Sequence, residues 1–273
     1  MPGTFSTRST AVPDRRLVGV RVLITRPAHQ AEPLAQLIEA EGGEVIRLPT
    51  IEIAEPQDPA AAEQALRTLP HAGLAIFISP NAVVHGLARL RACGGWPPTM
   101  RFAAVGAGTA HALQAAGIRD VIVPGERFNS EALLDSLPAE SLRGETVLLF
   151  RGEGGREHLA ASLHERGARV EHVVCYRRRL PRHPDTTSLA RLARGDIHLV
   201  VITSVDGLRN LLVLAGDGAR TQLLATPLMV MSERQAQAAR ELGFHGGVIV
   251  APRADDRVVL DAVIAWQETR KTL

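Results

Sequence analysis

The chain has 273 residues, 45% of them hydrophobic and 3% aromatic, and its 31 basic side chains nearly balance 29 acidic ones. That length allows one or two globular domains with an aliphatic core, and the near-zero net charge excludes general nucleic-acid binding, which carries a strong basic excess. Two cysteines, Cys93 and Cys175, stand at no paired spacing, which excludes a disulfide framework and fits a reducing, cytoplasmic setting.

Residues 1–16 hold Ser, Thr, Pro and Arg without an apolar h-region and read as a disordered tail rather than a signal peptide. VRVLIT (20–25) then reads as a strand and 28–40 as a helix that stops at Gly42 and Gly43. EVIRLPTIEI (44–53) is extended, a helix follows around 59–69, and LAIFIS (74–79) is a strand. The next elements are a helix from Asn81 to Arg91, strand 101–106, helix 109–116, strand 120–124 and helix 130–137. Strand TVLLFR (146–151), helix 156–166 and extended VEHVVCYRR (170–178) come next. The rest reads as helix 186–194, strand 198–203, helix 206–214, strand 228–232, helix 234–242, strand 247–252 and helix 256–267. Strands alternating with helices predict doubly wound α/β sheets of parallel strands. No apolar run reaches about 18 residues, so neither a transmembrane helix nor a membrane partner is expected.

These elements recur at an offset of about 125 residues. VLITR (22–26) matches VLLFR (147–151), which sets Arg26 against Arg151. ISPNAV (78–83) matches TSVDGL (203–208), with Ser79 against Ser204. AVGAGTAHALQAAGI (104–118) matches VMSERQAQAARELGF (230–244), and VIVP (121–124) matches VIVAP (248–252). The chain reads A–B–A′–B′, two α/β units of similar plan. Local pattern leaves two pairings open: A with B and A′ with B′, or a central B–A′ block flanked by A and B′. The extended segments 44–54 and 170–180 flank that block symmetrically and favour the second, as a two-stranded connector.

The loop Gly106-Ala107-Gly108-Thr109 resembles a nucleotide-binding glycine turn, but the third glycine position is His111. A dinucleotide fingerprint also needs an acidic residue about 20 positions on, and Asp120 lies too close. The loop is better read as one of several helix starts that follow strand ends. The others are Ser79-Pro80-Asn81, Asn129-Ser130, Gly152-Glu153-Gly154-Gly155, Thr203-Ser204 and Ser232-Glu233. Ordinary capping accounts for any one of them. As a set, their amides and dipoles predict two crevices suited to one large polyanion. Arg26, Arg151 and Arg156 add charge at the same edge, or are solvated loop arginines. The basic residues are nearly all Arg, with Lys271 the only lysine; Arg is the better carboxylate partner, although GC-rich coding gives the same bias. No catalytic signature and no metal-ligand spacing is present. The only tyrosine, Tyr176, lies among Arg177, Arg178 and Arg179, either as a proton donor or as a packing residue.

LITRP, FISPNAV, FAAVGAGTA, RGEGGR, VVCYRR, VITSVDGL and MSERQAQAARELG occur in an order and spacing, over roughly 20–267, that resembles the uroporphyrinogen-III synthase family. The resemblance implies two flavodoxin-like domains joined by a two-stranded β connector. The outer domain would be discontinuous (17–50 and 181–273), the inserted one would span 55–171, and the connector strands would be 44–54 and 170–180. It implies hydroxymethylbilane as substrate, no metal or cofactor, a monomer, and a possible hand-over from hydroxymethylbilane synthase. The implied reaction loses water, forms a spiro intermediate and inverts ring D. Such chemistry asks for positioning more than for a catalytic constellation. Tyr176 matches the tyrosine expected to assist hydroxyl loss. The substrate-binding set is Arg26, Ser79, Pro80, Asn81, Gly106, Thr109, Arg151, Gly152, Gly154, Thr203, Ser204 and Ser232. Ser232 stands where some relatives carry Thr, and Gln235 is the counterpart of Thr109. The alternatives are a non-catalytic tetrapyrrole-binding or regulatory clamp of the same fold, and a nucleotide-dependent α/β enzyme.

Overall fold

The computed structural model describes residues 15–125, 129–154, 157–253 and 255–272. Residues 1–14 of the expected tail, and Gly155 and Arg156, lie outside them. Arg16, expected at the end of that tail, is described: its guanidinium pairs with Glu41 at 2.8 Å beside the buried Leu17.

In chain order the elements begin with β1 (Arg21–Ile24), α1 (Ala28–Ala40), β2 (Glu44–Arg47) and β3 (Glu52–Ala54). Then come α2 (Pro59–Leu66), β4 (Ala72–Phe77), α3 (Pro80–Ala92), β5 (Arg101–Ala104), α4 (Ala107–Ala115), β6 (Val121–Ile122) and α5 (Ser130–Asp135). β7 (Thr146–Gly152), α6 (His158–Glu165) and β8 (Arg169–Arg179) follow. The chain closes with α7 (Thr186–Ala193), β9 (Leu199–Val201), α8 (Val205–Ala225), β10 (Leu228–Val230), α9 (Glu233–Glu241), β11 (Val248–Val250) and α10 (Asp256–Thr272).

The fold is α/β with two parallel-sheet cores. One compact unit takes the described residues up to Glu52 together with Leu180 onward; the other is Ile53–Arg179. The first sheet runs β11-β10-β9-β1-β2, and the second β3-β8-β7-β4-β5-β6. Under the 125-residue repeat, β1, β9, β10 and β11 correspond to β7, β4, β5 and β6, so the two sheets share one spatial order. Apart from β3 and β8, neighbouring strands pair in parallel, as in β1 with β9 and β4 with β7. Each sheet is covered on both faces, because its alternating side chains feed two separate apolar clusters. Leu23, Val200 and Val230 pack toward α7, α8 and α9, whereas Val22, Val201 and Met229 pack toward α1 and α10. In the second sheet Phe77, Phe102 and Phe150 share a cluster with α2, α3 and α4, while Ile76, Ala103 and Leu149 face α5 and α6.

Two expected elements come out differently. The extended run 44–53 is two short strands in different sheets, separated by Pro49, which has no N–H for a ladder. β8 lies beside β3, but it also pairs with β7 from Arg169 to Tyr176, so it is an integral strand of the second sheet. The helix expected over 206–214 forms the first part of α8, which breaks at Gly216. Gly216, at φ 51°, lets a second amphipathic stretch follow the first and bury Ala219 and Leu223.

Candidate functional site

The site begins where parallel strands end and helices start. β4 ends at Phe77, and Ser79 caps α3, its Oγ accepting from the Ala82 amide at 3.1 Å. Pro80 sits in the first turn, where its missing N–H matters least, and Asn81 is buried beside it. β5 ends at Ala104, and Gly106 caps α4 without a side-chain bond, leaving that helix start open. Thr109 is buried in the first turn of α4. A Cβ on Gly108 would come within 3.8 Å of Pro80, so the two helix starts are neighbours.

Tyr176 is placed by an irregularity in the β7–β8 ladder. Arg151 pairs with Val174, but Gly152 pairs with Tyr176, so Cys175 is an extra residue. Without it, Cys175 and Tyr176 would point to opposite faces; with it, both join the same cluster. The ring is 2% exposed, and its hydroxyl lies 3.0 Å from Ser79 Oγ. Gly152 makes room for it, since a Cβ there would stand 2.7 Å from Tyr176 Cζ. The His85 ring stacks at 5.9 Å. The Arg178 guanidinium lies 5.9 Å over the tyrosine ring and donates to its hydroxyl at 3.5 Å. Ile78, Ser79, Gly152, Glu153, Gly154, Tyr176 and Arg178 enclose a cavity of about 130 Å³. Cys175 next door is no nucleophile: burial pushes its thiol up to about 12, and it donates to the Val173 carbonyl.

An adjoining cavity of about 320 Å³ shares Gly152 and Gly154 and includes Arg151, Glu157 and His172. Arg151 is 4% exposed and fully engaged. It donates to Glu157 at 2.9 Å, to the Gly154 carbonyl at 2.6 Å and to His172 Nδ1 at 3.2 Å. Because a guanidinium cannot accept, Nδ1 is the bare nitrogen of His172. Burial, then the Arg151 charge, holds that imidazole below its ordinary range. Arg151 therefore braces the turn at Gly154, whose φ of +70° suits glycine.

In the other unit Arg26 is ion-paired with Asp256 at the start of α10. Ser204 caps α8, accepting from the Gly207 amide at 2.9 Å, and Ser232 caps α9. The end of this sheet is laced shut. Gln235, 8% exposed, donates to the Thr203 carbonyl at 3.0 Å and accepts from the Met231 amide at 2.9 Å. Thr25 Oγ1 donates to the Val201 carbonyl, and Asn210 donates to the Thr50 carbonyl.

Ser79, Gly152, Gly154 and Tyr176 thus share one cavity, with Pro80, Asn81, Gly106 and Thr109 in the two adjacent helix starts and Arg151 behind the turn. Arg26, Thr203, Ser204 and Ser232 belong to the other sheet end. The sequence reading missed Arg178, His85, Glu157 and Asp256 as partners. Only Arg178 carried a local signal: residues 176 and 178 of one strand share a face. Among the described residues no group of three or more His, Cys, Asp or Glu is arranged to hold a metal ion, and no helix is long and apolar enough to cross a membrane.

The family described as uroporphyrinogen-III synthase HemD matches residues 32–257. A uroporphyrinogen-III synthase of Salmonella typhimurium is 34% identical over 244 residues, spanning 89% of this chain and 99% of that one. One of Escherichia coli is 32% identical over 245 residues, with coverage of 89% and 99%. A solved mutant uroporphyrinogen III synthase from the extremely thermophilic bacterium Thermus thermophilus covers 93% of this chain and 100% of its own, with a TM-score of 0.56. Sequence identity to it is 20%, so that likeness concerns the fold.

Proposed function

The chain belongs to the uroporphyrinogen-III synthase family, and from that premise we propose that it is a lyase. It cyclises hydroxymethylbilane with loss of water and inversion of ring D, giving uroporphyrinogen III. The observation that carries this reading is the Tyr176 phenol, buried yet directed at a cavity and held by Ser79 at 3.0 Å. The leaving hydroxyl of the bilane accepts a proton as its C–O bond breaks. The electron-rich pyrrole stabilises the cation left behind, so modest general-acid assistance from one phenol is sufficient. What remains is selecting the closure that inverts ring D, which is a matter of holding the chain of rings in one conformation.

The carboxylates of the substrate suit the helix starts. The open amides at Gly106 and along the first turn of α4, with Thr109 behind them, form the least obstructed of these. Ser79, Pro80 and Asn81 line the neighbouring start, and Gly152 and Gly154 supply backbone at the tyrosine. Ser204, Thr203 and Ser232 contribute in the same manner at the other sheet end. Arg26 and Arg151 act by holding the local structure of the two sheet ends, because their guanidinium groups already bind Asp256 and Glu157.

The shared strand order supports two flavodoxin-like, doubly wound domains. On this reading the outer domain takes 17–50 and 181–273, the inserted domain takes 55–171, and 44–54 and 170–180 serve as connector. We further propose a cytoplasmic monomer that works without metal or cofactor and receives its unstable substrate from hydroxymethylbilane synthase.

The test is a coupled assay. Porphobilinogen and hydroxymethylbilane synthase are supplied, the protein is added, and the oxidised porphyrin isomers are separated by chromatography. Mostly type III is expected. Mostly type I from a folded sample would refute the activity in favour of a binding clamp without turnover.

A further inference from the structure

We infer that Arg178 is a positioning residue for the reaction proposed above: it holds the Tyr176–Ser79 hydroxyl pair as a proton donor toward the cavity and stabilises the phenolate that donation leaves. This rests on the synthase reading of the site.

The protons at the pair can be counted. Ser79 Oγ has one proton and two lone pairs, and the Ala82 N–H occupies one lone pair. Tyr176 Oη has one proton and accepts from Arg178 Nη2 at 3.5 Å. One of the two hydroxyl protons lies in the 3.0 Å contact between the oxygens. The other is left for the cavity. Both protein groups that close the pair from outside, an amide and a guanidinium, are donors and cannot take that proton. Neither hydroxyl is in hydrogen-bond contact with the Glu153 carboxylate in the wall, whose Oε1 accepts from the Gln57 amide. The pair therefore offers an O–H to whatever enters.

Arg178 also decides which oxygen gives up the proton. Its charge lies 5.9 Å over the Tyr176 ring and next to Oη, and nothing comparable reaches Ser79. A cation there stabilises the negative charge that develops as the phenol O–H breaks. The proton passes from Oη to the leaving hydroxyl, and water departs with the C–O electron pair. The bilane becomes a cation, and the phenolate is held by Arg178 and by the Ser79 hydroxyl. When the later ring closure releases a proton from the tetrapyrrole, Oη recovers it, and the balance closes without a co-reactant. The i, i+2 spacing on β8 places Arg178 on the face of Tyr176, and its exposure lets it hold this post without supporting the fold.

The test uses the full chain and exploits its single tyrosine. The ring doublet in ultraviolet resonance Raman spectra reports whether a phenol oxygen accepts or donates hydrogen bonds, and here it reads Tyr176 alone. In Arg178→Met the doublet should shift away from the acceptor limit. kcat for type III formation should fall about tenfold, less than the loss of a fully buried donor, with KM changed less than about threefold. Arg178→Lys, which keeps the charge, should recover much of kcat. An unchanged doublet in Arg178→Met would overturn the contact. An unchanged kcat with a raised KM would make Arg178 a substrate carboxylate ligand instead. The doublet is read without substrate, so it decides the contact even where the coupled assay fails.

Discussion

The carboxyl ends of the two sheets differ although the sheets are built alike. Both have the same strand order, and both start a helix at a serine in the same place, Ser79 and Ser204, with nearly the same cap geometry. In the sheet of Ile53–Arg179, the next helix start has Gly106 and Thr109 and is open, and Tyr176 faces a cavity. In the other sheet the equivalent of Thr109 is Gln235, whose amide ties the ends of β9 and β10 together. One copy of the repeat keeps a buried phenol beside a cavity at this edge; the other uses the position of Thr109 to tie two strand ends together. A duplicated scaffold diverges most economically at the ends of its strands, because the apolar interior of each sheet tolerates few changes.

The largest expected effect breaks this comparison on the reactive side. Tyr176→Phe removes the donor while leaving the ring against Gly152, so type III formation should slow about 100-fold or more with an unchanged unfolding transition. A wild-type rate would remove Tyr176 from the mechanism. On the closed side, Gln235→Ala deletes both amide bonds and leaves the part-buried Thr203 carbonyl and Met231 N–H without this partner. Urea unfolding should show a loss of about 2–3 kcal/mol. A loss near zero would mean that water replaces the amide and that this end is no more closed than the other.

The serine pair sharpens the contrast. Ser79→Ala and Ser204→Ala each lose a helix cap and should cost about 1 kcal/mol apiece in stability. Only the Ser79 variant should also lower kcat, because only Ser79 touches the phenol, whereas Ser204→Ala leaves the amides of its helix start in place. Equal kinetic effects would show that the two caps play the same part.

The smallest effect concerns acid. His172 in one unit and His198 in the other are both held below the ordinary histidine value of 6.5, by burial first and then by Arg151 and Arg21. For His172 the facing charges also include Glu157, His164 and Glu171; for His198 they include Arg270 and Asp196. The unfolded chain binds these protons more readily than the folded one. Their contribution to stability is therefore complete above the ordinary histidine range and is lost as pH falls below about 6.5. His172→Gln and His198→Gln should each flatten the stability profile between pH 7 and pH 5. A profile unchanged in both variants would place the acid sensitivity elsewhere.

Much of this was legible in the sequence by itself. Helical and strand periodicities are local, so the alternation that builds parallel sheets could be read directly, and so could the 125-residue repeat that relates them. The serine and glycine helix starts were readable because a cap is a contact between neighbours in the chain. What only the tertiary structure decided depends on residues far apart. Local pattern did not say that β7 and β8 join β4 and β5, or that Pro49 hands 44–47 and 52–54 to different sheets. It did not say that Arg26 and Arg151, candidates for a carboxylate, are already taken by Asp256 and Glu157. The extra residue at Cys175 is visible only against β7, yet it turns Tyr176 to the face where Ser79 and Arg178 meet it. Periodicity specifies which residues share a face of their own strand; register against another strand decides what that face will touch.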